Sequence, residues 1–320
     1  GLDSTLAVKI MNNLGFKVIA LNVETPFCKS SKDLEEIIVN LCGSNIEFIK
    51  EKVDDEYIKL VKNPPHGYGK HLNPCIDCKI FMLKKAKKIM ETLKADVIFT
   101  GEVLGQRPMS QHSEALKKIE KESGLDGYLL RPLSAKSMKP TIPEEKGIID
   151  RDKLYGFTGR GRKAQMRLAE KFGIKEYPSP AGGCLLTDEG FSSRLQDALN
   201  HNDLSSYNMS LLKIGRHFRI DEITKVICGR TSEENDKLFD LCKGDTIVFT
   251  VKGVSSTYVF LFGDMNGVNQ EFAGGVAARY SKARNSNSVE IKWWYKKDEN
   301  SIKTFFTAPI KDEKLKDYRL

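Results

Sequence analysis

Three cysteines are the residues whose type and spacing could do chemistry together. Cys75 and Cys78 form a Cys-x-x-Cys pair in the stretch NPCIDCK, just before a helical pattern, and Cys184 follows in the glycine-rich stretch SPAGGCLL. A single Cys-x-x-Cys pair is compatible with half of a zinc site, with a redox pair or with chance. Because structural zinc usually takes four ligands, three cysteines would form a site with one open position.

The first residues of the chain, GLDST, place a glycine, a carboxylate and two hydroxyls at the start of a helical pattern. Gly1 lets a ligand come close to the backbone, and the free amides of a helix start bind phosphate with help from the helix dipole. Ser4 and Thr5 could add hydroxyl donors. The alternative is an ordinary helix start that is capped by Asp3 or Ser4.

The composition indicates a globular protein of two domains. The chain has 320 residues, of which 40% are hydrophobic and 29% charged. No apolar run reaches the roughly 18 residues of a membrane span, so we expect no membrane partner. A net charge of +8 is compatible with an acidic partner such as nucleic acid. Seven irregularly spaced cysteines argue against a disulfide framework and for a reducing compartment, so we expect a cytoplasmic protein.

Strands alternate with helices in the first part of the chain. Apolar residues at helical spacing continue to Gly15, and KVIALNV, IEFIKEKV and ADVIFT are typical of short strands. Helical patterns lie between them, in KDLEEIIVNL and IFMLKKAKKIMETL. This order predicts an α/β fold with a parallel sheet and a ligand at the carboxyl ends of its strands. The stretches GLDST, NVETPF and TGEVLGQ fall at those ends.

The pattern changes around the polar stretch HNDLSSYNMS. Beyond it lie the β-rich runs DTIVFTV, STYVFLFG, SVEIKWWY and KTFFTAP. We therefore predict a domain boundary between residues 203 and 204. Residues 1–203 would form the α/β domain and residues 204–320 a smaller α+β domain.

GLDST resembles the second half of the Ser-Gly-Gly-x-Asp-Ser loop of the PP-loop ATP pyrophosphatases. The motif's serine and first glycine are absent, so we expect a chain that is truncated at its amino terminus. The resemblance implies that the loop holds the pyrophosphate of ATP, with Mg²⁺, while AMP is transferred to an oxygen of the substrate. Asp3 would also be catalytic. The implied ATP contacts in this part of the chain are Gly1, Leu2, Asp3, Ser4 and Thr5, with the adenine near Leu21 and Val23.

The stretch TGEVLGQRPMSQHSEAL is similar to the Thr-Gly-Glu-Ser-Leu-Gly-Gln…Ser-Gln segment of the tRNA 4-thiouridine synthetases. The matching residues are Thr100, Gly101, Glu102, Leu104, Gly105, Gln106, Ser110 and Gln111, whereas Val103 replaces the usual serine. In that family this loop lies beside the ATP and the uridine, which implies nucleotide contacts by Gly101 and Gln106. The resemblance covers roughly residues 1–190.

Several tRNA thiolation enzymes of this class share a Cys-x-x-Cys pair followed by a distant cysteine. The resemblance implies that Cys75, Cys78 and Cys184 are catalytic and hold a [4Fe–4S] cluster, whose free iron could carry a sulfide. The alternative is a metal-free route in which Cys184 carries a persulfide that Cys75 or Cys78 resolves. Zinc is the other candidate metal. The remaining cysteines have apolar neighbours and are predicted to be buried packing residues. They are Cys28, Cys42, Cys228 and Cys242.

Two regions are candidates for RNA contact. The stretch GFTGRGRKAQMRLAEKFG carries four basic residues at a glycine-rich helix start, which predicts binding of tRNA phosphates, with a solvated helix face as the alternative. They are Arg160, Arg162, Lys163 and Arg167. The last 110 residues or so resemble the RNA-binding domain NFACT-R. The residues that carry this resemblance are Gly229, Arg230, Glu234, Asn235, Ala277, Ala278, Tyr280, Ser281, Ala283 and Arg284.

The NFACT-R resemblance implies RNA contacts by Arg216 and Arg284. Trp293, Trp294 and Tyr295 could stack on bases, although about half of the residues of a strand normally face a core.

Together the resemblances imply an ATP-dependent tRNA uridine sulfurtransferase. The uridine carbonyl oxygen would attack the α-phosphate of ATP, and sulfur from the cysteines would then displace AMP. Sulfide or a persulfide-carrying protein would supply the sulfur. We expect 4-thiouridine as the product, with 2-thiouridine by the same chemistry as the alternative. A non-catalytic RNA-binding protein with a structural metal is the alternative from another class.

Overall fold

A computed structural model of the chain describes residues 1–28, 34–42, 46–175, 177 and 184–320, except for the side chains of Cys42 and Ser206. The chain divides into two compact units, Gly1–Asp188 and Glu189–Leu320. The predictions for Cys42 and for the glycine-rich turn before Cys184 lie outside the described residues. No helix in the described ranges is long and apolar enough to cross a bilayer.

The first unit alternates helices with short strands. Its elements are α1 (Leu2–Asn13), β1 (Val18–Glu24), α2 (Leu34–Cys42), β2 (Ile46–Lys52), α3 (Asp55–Lys62), α4 (Cys75–Leu93), β3 (Ile98–Phe99), α5 (Ser113–Ser123), β4 (Leu129–Leu130), α6 (Ile142–Glu145) and α7 (Lys163–Lys171). Single 3₁₀ turns lie at Ala135–Ser137, Arg151–Lys153 and Leu185–Thr187.

The strands of this unit pair in parallel. β1 pairs with β2 from Val18 opposite Ile46 to Glu24 opposite Lys52, and β3 pairs with β4. Within the described residues these are separate two-stranded sheets, whereas the sequence predicts a parallel sheet for the whole domain. Both pairs are joined through helices, as parallel strands require.

Helix α1 fixes the position of the first residues of the chain. Leu2, Leu6 and Ile10 are buried in the core that α1 shares with β1 and α7. Burial of each such side chain contributes about 1.5–3 kcal/mol, so the start of α1 is well anchored. The helix ends just before Gly15, whose φ of +88° lies in the left-handed region that glycine adopts readily.

The second unit is built on an antiparallel sheet. Its elements are α8 (Glu189–Asn200), α9 (Ser206–Leu212), β5 (Arg216–Arg219), β6 (Lys225–Cys228), α10 (Ser232–Leu241), β7 (Ile247–Val251), β8 (Val259–Phe262), α11 (Gly267–Arg279), β9 (Val289–Tyr295), β10 (Lys303–Thr307) and α12 (Asp312–Lys316).

The six strands follow the order β10-β9-β7-β8-β6-β5, and every neighbouring pair is antiparallel. Helix α11 packs on one face of this sheet, where Ala273 and Val276 join a core with Phe249 and Ile291. Gly274 is required there because a Cβ at this position would lie 2.5 Å from the Phe305 ring. The antiparallel sheet with helices agrees with the predicted α+β class.

The two units divide fifteen residues before the predicted boundary, between Asp188 and Glu189 instead of between 203 and 204. Helix α8 belongs to the second unit because its polar side chains form hydrogen bonds with other residues of that unit. Asp197 accepts hydrogen bonds from the Arg219 guanidinium at 2.7–3.2 Å, and Arg194 donates to the Leu212 carbonyl at 2.9 Å. The polar stretch that suggested the boundary is the connection between α8 and α9.

Candidate functional site

The predicted phosphate loop forms the first turn of α1. Gly1 occupies the N-cap position, and no side-chain cap hydrogen bond is present at this helix start among the described residues. Leu2 is buried, and Thr5 uses its hydroxyl to donate to the Gly1 carbonyl at 3.2 Å. Asp3 is half-buried and Ser4 is exposed. Of the predicted ATP contacts in this turn, Leu2 could therefore contribute only its backbone, whereas Asp3 and Ser4 present polar side chains.

The loop that follows β3 lies directly against this turn. A Cβ at Gly101 would lie 2.5 Å from the Asp3 carbonyl oxygen and would also overlap the Ser4 amide. Only glycine allows the two backbones to approach this closely. The stretches GLDST and TGEVLGQ, far apart in the sequence, are therefore brought into contact as predicted.

The far end of this loop is tied to the stretch that carries the predicted RNA-binding residues. Leu104 forms a parallel bridge with Thr158, and the Gly159 amide donates to the Leu104 carbonyl at 2.7 Å. Gly105, with φ +76°, makes the turn that lets its amide donate to the Gln111 carbonyl at 2.7 Å. Gln106 next to it is half-buried.

Arg162 turns inward and pairs with the first turn of α1. Its Nη2 atom lies 3.4 Å from Asp3 Oδ2. Asp3 Oδ1 and Arg162 Nε are buried without a hydrogen-bond partner in the described part of the chain. Buried polar atoms normally have partners, so a ligand bound at this turn could satisfy these two atoms. The arrangement fits an anion beside Arg162 and a hydrated cation beside Asp3.

Below the loop, a buried ionic network holds Glu102 in place. The Arg131 Nε atom donates to Glu102 Oε2 at 3.1 Å, and Lys79 Nζ lies 3.6 Å from Glu102 Oε1. Burial alone would raise the pKa of Glu102, but the positive charges of Lys79 and Arg131 outweigh it and hold the pKa below its usual value. Because Lys79 follows Cys78 in α4, this network also fixes the loop relative to the cysteine helix.

Cys75 and Cys78 lie in the first turn of α4, which begins at Cys75, whereas the sequence predicts a helix that begins after the pair. Both thiols are half-buried, and burial raises the pKa of each above its usual value. The Tyr57 hydroxyl forms a hydrogen bond with the Cys78 thiol, and this bond lowers the pKa of the thiol without outweighing burial. Tyr57 itself is buried, and burial raises its pKa as well. Both thiols are therefore protonated at neutral pH until a charge or a metal displaces the proton.

Cys184 joins this pair, and Cys28 is a fourth neighbour that the sequence analysis missed. Cys184 and Cys28 face each other in an antiparallel bridge, and both lie near Tyr57 and Cys78. Burial raises the pKa of Cys184 to about 12. The prediction that Cys28 is a buried packing residue is wrong, because its side chain is exposed at the carboxyl end of β1. Cys228 and Cys242 are buried as predicted.

Arg107 connects the cysteines with the start of α1. Burial raises the pKa of Cys75 although Arg107 and Lys79 act against it. Arg107 belongs to the loop after β3, which contacts the first turn of α1 at Gly101. This loop therefore borders both the predicted phosphate loop and the cysteines.

The predicted adenine contacts lie on β1. Leu21 and Val23 are half-buried and are paired with Ile49 and Glu51 of β2. Both residues belong to β1, and Cys28 follows the carboxyl end of this strand. Ligands of parallel α/β folds bind at such strand ends.

The arrangement of the cysteines bears on the predicted metal. Among the described residues, no group of three or more His, Cys, Asp and Glu side chains is arranged to hold a metal ion. The [4Fe–4S] cluster or zinc that the resemblance implies at Cys75, Cys78 and Cys184 stays a prediction.

Three of the four basic residues predicted to bind RNA in the first unit are exposed. Arg160, Lys163 and Arg167 lie exposed around the start of α7, whereas Arg162 is half-buried against Asp3. The sequence does not distinguish these four basic residues. Only the fold shows that Arg162 contacts Asp3 of α1.

In the second unit the predicted residues divide into structural and exposed ones. Arg216 covers the Tyr280 ring at 4.6 Å and donates to the Gly229 carbonyl at 3.3 Å, whereas Arg284 is exposed. Of the predicted aromatic run, Trp294 is buried and Trp293 packs against the core. Phe306 on β10, which the sequence analysis missed, is 69% exposed.

Comparison with known proteins agrees with these two units. Residues 1–145 match the family described as thiamine biosynthesis protein (ThiI), and residues 215–319 match the NFACT protein RNA binding domain. The chain joins a ThiI-like domain to an NFACT-R-like domain. This confirms the PP-loop thiouridine-synthetase and NFACT-R resemblances that the sequence predicts.

The ThiI-like domain is also similar to a curated protein, the "Probable tRNA sulfurtransferase" of Methanocaldococcus jannaschii. The two are 31% identical over 141 residues, which are 42% of this chain and 34% of that protein. The chain thus spans about a third of the curated relative that it matches.

Among solved structures, the carboxyl-terminal part of the fibronectin/fibrinogen-binding protein from Streptococcus suis is 15% identical. The match covers 83% of this chain and 97% of that one with a TM-score of 0.32, which is too low to establish a common fold.

Proposed function

We propose that this protein catalyses the ATP-dependent thiolation of a uridine in tRNA, with 4-thiouridine as the product. One observation carries the proposal: the loop after β3 packs through Gly101 against the first turn of α1 and is tied through Glu102 to Lys79, the residue after Cys78, so the helix start and the cysteine helix border the same loop. The likeness of the first unit to a tRNA sulfurtransferase and of the second to an RNA-binding domain supports it.

ATP would bind at the first turn of α1. The amides of this helix start and the Arg162 guanidinium would hold the phosphates, and Asp3 would face the Mg²⁺ ion that accompanies them. Mg²⁺ neutralises charge on the phosphates when it is bound. Ser4 would add a hydroxyl donor, and the half-buried side chains of Leu21 and Val23 would border the adenine.

The reaction would begin with attack of the uridine carbonyl oxygen on the α-phosphate of ATP. Pyrophosphate leaves, and the base carries AMP on its oxygen. The backbone amides around Gly101 and the guanidinium of Arg162 stabilise the negative charge that develops on the phosphate. Gly101 keeps the two loops close enough for both to reach the same group.

Without a metal, a persulfide-carrying protein would pass its outer sulfur to Cys184, and the terminal sulfur of the Cys184 persulfide would attack the activated base and displace AMP. The Cys75 or Cys78 thiolate would then attack Cys184 Sγ, so that the sulfur–sulfur bond to the base breaks, the thiolated base leaves and a protein disulfide forms, which an external thiol reduces. Sulfide would be the donor only with a [4Fe–4S] cluster at these thiols, whose free iron would hold it. A [4Fe–4S] cluster or zinc at these thiols remains a prediction from the resemblance, which metal analysis of protein purified without oxygen would test.

Phosphates of the tRNA would be bound by accessible basic residues of each unit. In the first unit these are Arg160, Lys163 and Arg167, and in the second Arg284. Arg216 would support the RNA surface through its contacts with Tyr280 and Gly229. The exposed ring of Phe306 offers a face on which a base could stack.

Replacement of Cys184 tests the proposal. We expect Cys184→Ala to abolish thiouridine in tRNA nucleosides analysed by mass spectrometry, while ATP binding is retained. Cys242→Ala, at a buried cysteine of the second unit, is the matched control and should keep activity. Undiminished thiouridine with Cys184→Ala would refute the proposal, and the mass and fragmentation of the product would distinguish 4-thiouridine from 2-thiouridine.

A further inference from the structure

Cys28 and Cys184 are directly opposite each other on two antiparallel segments. They are the partners of an isolated antiparallel bridge, which the Leu185 amide extends by donating to the Phe27 carbonyl at 2.9 Å. Opposed residues in such a bridge have Cα atoms about 4.5–5.5 Å apart. Disulfides span Cα separations of roughly 4.4–6.8 Å, so this backbone arrangement matches the requirement of a disulfide. Both cysteines are free thiols in the structure.

The surroundings hold Cys28 at this place while leaving its side chain accessible. Phe27 before it is buried against the Tyr57 ring, with ring centroids 5.9 Å apart. The Cys28 Sγ atom lies 3.3 Å from the Thr25 hydroxyl, and the residue is exposed. The chain thus anchors the backbone beside Cys184 and presents the Cys28 thiol to solvent.

We propose that Cys28 and Cys184 are a reversible dithiol–disulfide site that removes Cys184 from sulfur chemistry when it is oxidised. The loss of sulfur chemistry at Cys184 rests on the proposed function, whereas formation of the disulfide does not. The proposed function assigns no role to Cys28 itself.

A low-molecular-weight disulfide, RSSR, is the oxidant. The Cys28 thiolate attacks one sulfur of RSSR, the S–S bond of RSSR breaks, and RS⁻ leaves with the electron pair and takes up a proton. The Cys184 thiolate then attacks Cys28 Sγ, and the second RS⁻ leaves. Two protein thiols are oxidised to one disulfide, and RSSR is reduced to two RSH.

Accessibility sets the order of these steps. Cys28 is exposed and meets the oxidant first, whereas Cys75, Cys78 and Cys184 are partly covered. The attack of Cys184 on Cys28 is favoured because the two residues are held opposite each other and the step is intramolecular.

The test treats the full chain with oxidised glutathione and then digests it without a reductant. Mass spectrometry should detect a disulfide-linked pair of peptides that contain Cys28 and Cys184, and dithiothreitol should release them. Cys28→Ser should lose this link, while the matched control Cys242→Ser should retain it. Relative to its own level in reductant, thiolation of tRNA by Cys28→Ser should resist oxidised glutathione, whereas that of the wild type should fall.

A disulfide between Cys75 and Cys78 with Cys28 left free, or a glutathione adduct on Cys28 that never yields the link, would overturn the inference. Cys28→Ala provides a second variant in case the serine hydroxyl disturbs the fold. The linked peptides are detected whether or not the protein thiolates RNA. Failure of the proposed function would instead appear as wild-type protein that forms no thiouridine in reductant.

Discussion

Gly101 lies so close to the first turn of α1 that a Cβ there would be 2.5 Å from the Asp3 carbonyl oxygen. Gly101→Ala must therefore push two backbone segments apart. We expect it to destabilise the first unit by about 1–3 kcal/mol, as overpacking does, and to lower ATP-dependent pyrophosphate release. Urea denaturation and a pyrophosphate assay measure the two effects.

Gly161→Ala is the matched control for this substitution. A Cβ at Gly161 would have no other atom within 4 Å. The Gly161→Ala protein should therefore have the same denaturation curve as the wild type. If the two alanine variants behaved alike, the close approach of Gly101 to α1 would not matter for the site.

The pairing of Arg162 with Asp3 predicts a specific defect in ATP binding. A hydrogen bond to a charged group contributes about 1.5–3 kcal/mol, so Arg162→Gln should weaken ATP binding roughly tenfold to a hundredfold. Calorimetric titration with ATP measures this change. The fold and the affinity for tRNA should change little by comparison, because Arg162 is turned towards Asp3.

Arg160→Gln is the control with the same change of charge at an exposed position. It should leave ATP binding intact and weaken tRNA binding. The slope of the salt dependence should fall by about 0.7–0.9 for each RNA phosphate that the variant no longer neutralises. Wild-type ATP affinity in Arg162→Gln would remove Arg162 from the nucleotide site.

The pKa of Cys184, raised to about 12, predicts a slow thiol. A raised pKa means less thiolate at a given pH, and far below the pKa the thiolate fraction grows tenfold for each pH unit. Alkylation of Cys184 by iodoacetamide, measured on its peptide by mass spectrometry, should therefore keep rising from about pH 7 to about pH 10. Free glutathione provides the reference, and its rate should level off once its ordinary thiol is ionised. A plateau for Cys184 below about pH 9 would contradict the buried, protonated thiol.

Local hydrophobic patterns were enough to predict most elements of the fold. The apolar run after Gly15 became β1, and the alternating run that ends at Tyr295 became β9, because both runs are buried on at least one face. The boundary at 203 and 204 was less predictable, since α8 is held by Arg219, a residue distant in sequence. No local pattern reports such a contact.

The candidate site was predicted in its parts but not in full. The approach of Cys184 to Cys75 and Cys78 followed from the resemblance, whereas Cys28 was missed because its apolar neighbours suggested a core position. One signal was available: Cys28 follows a strand at its carboxyl end, where a parallel α/β fold binds ligands. Arg160 is exposed and Arg162 contacts Asp3, although both belong to the same short stretch. The sequence does not show in which direction each side chain points.

In the second unit, Asn235 and Arg284 should separate stability from RNA binding. Asn235 Oδ1 accepts hydrogen bonds from the Thr257 hydroxyl at 2.7 Å and the Tyr258 amide at 3.3 Å, and it lies against Gly229. Asn235→Ala leaves these donors without that acceptor and should destabilise the unit by about 1–3 kcal/mol in urea denaturation.

Arg284→Gln should weaken RNA binding and leave stability unchanged. The Arg284 side chain is exposed, and its charge would pair with RNA phosphates. Its denaturation curve should match the wild type, while tRNA affinity and its salt slope, measured by fluorescence anisotropy at two salt concentrations, should fall. Wild-type affinity and slope in Arg284→Gln would mean that RNA does not contact the turn that follows α11. An Asn235→Ala protein of unchanged stability would mean that Thr257 satisfies its hydrogen bonds through the Gly229 carbonyl, which already lies 3.0 Å away.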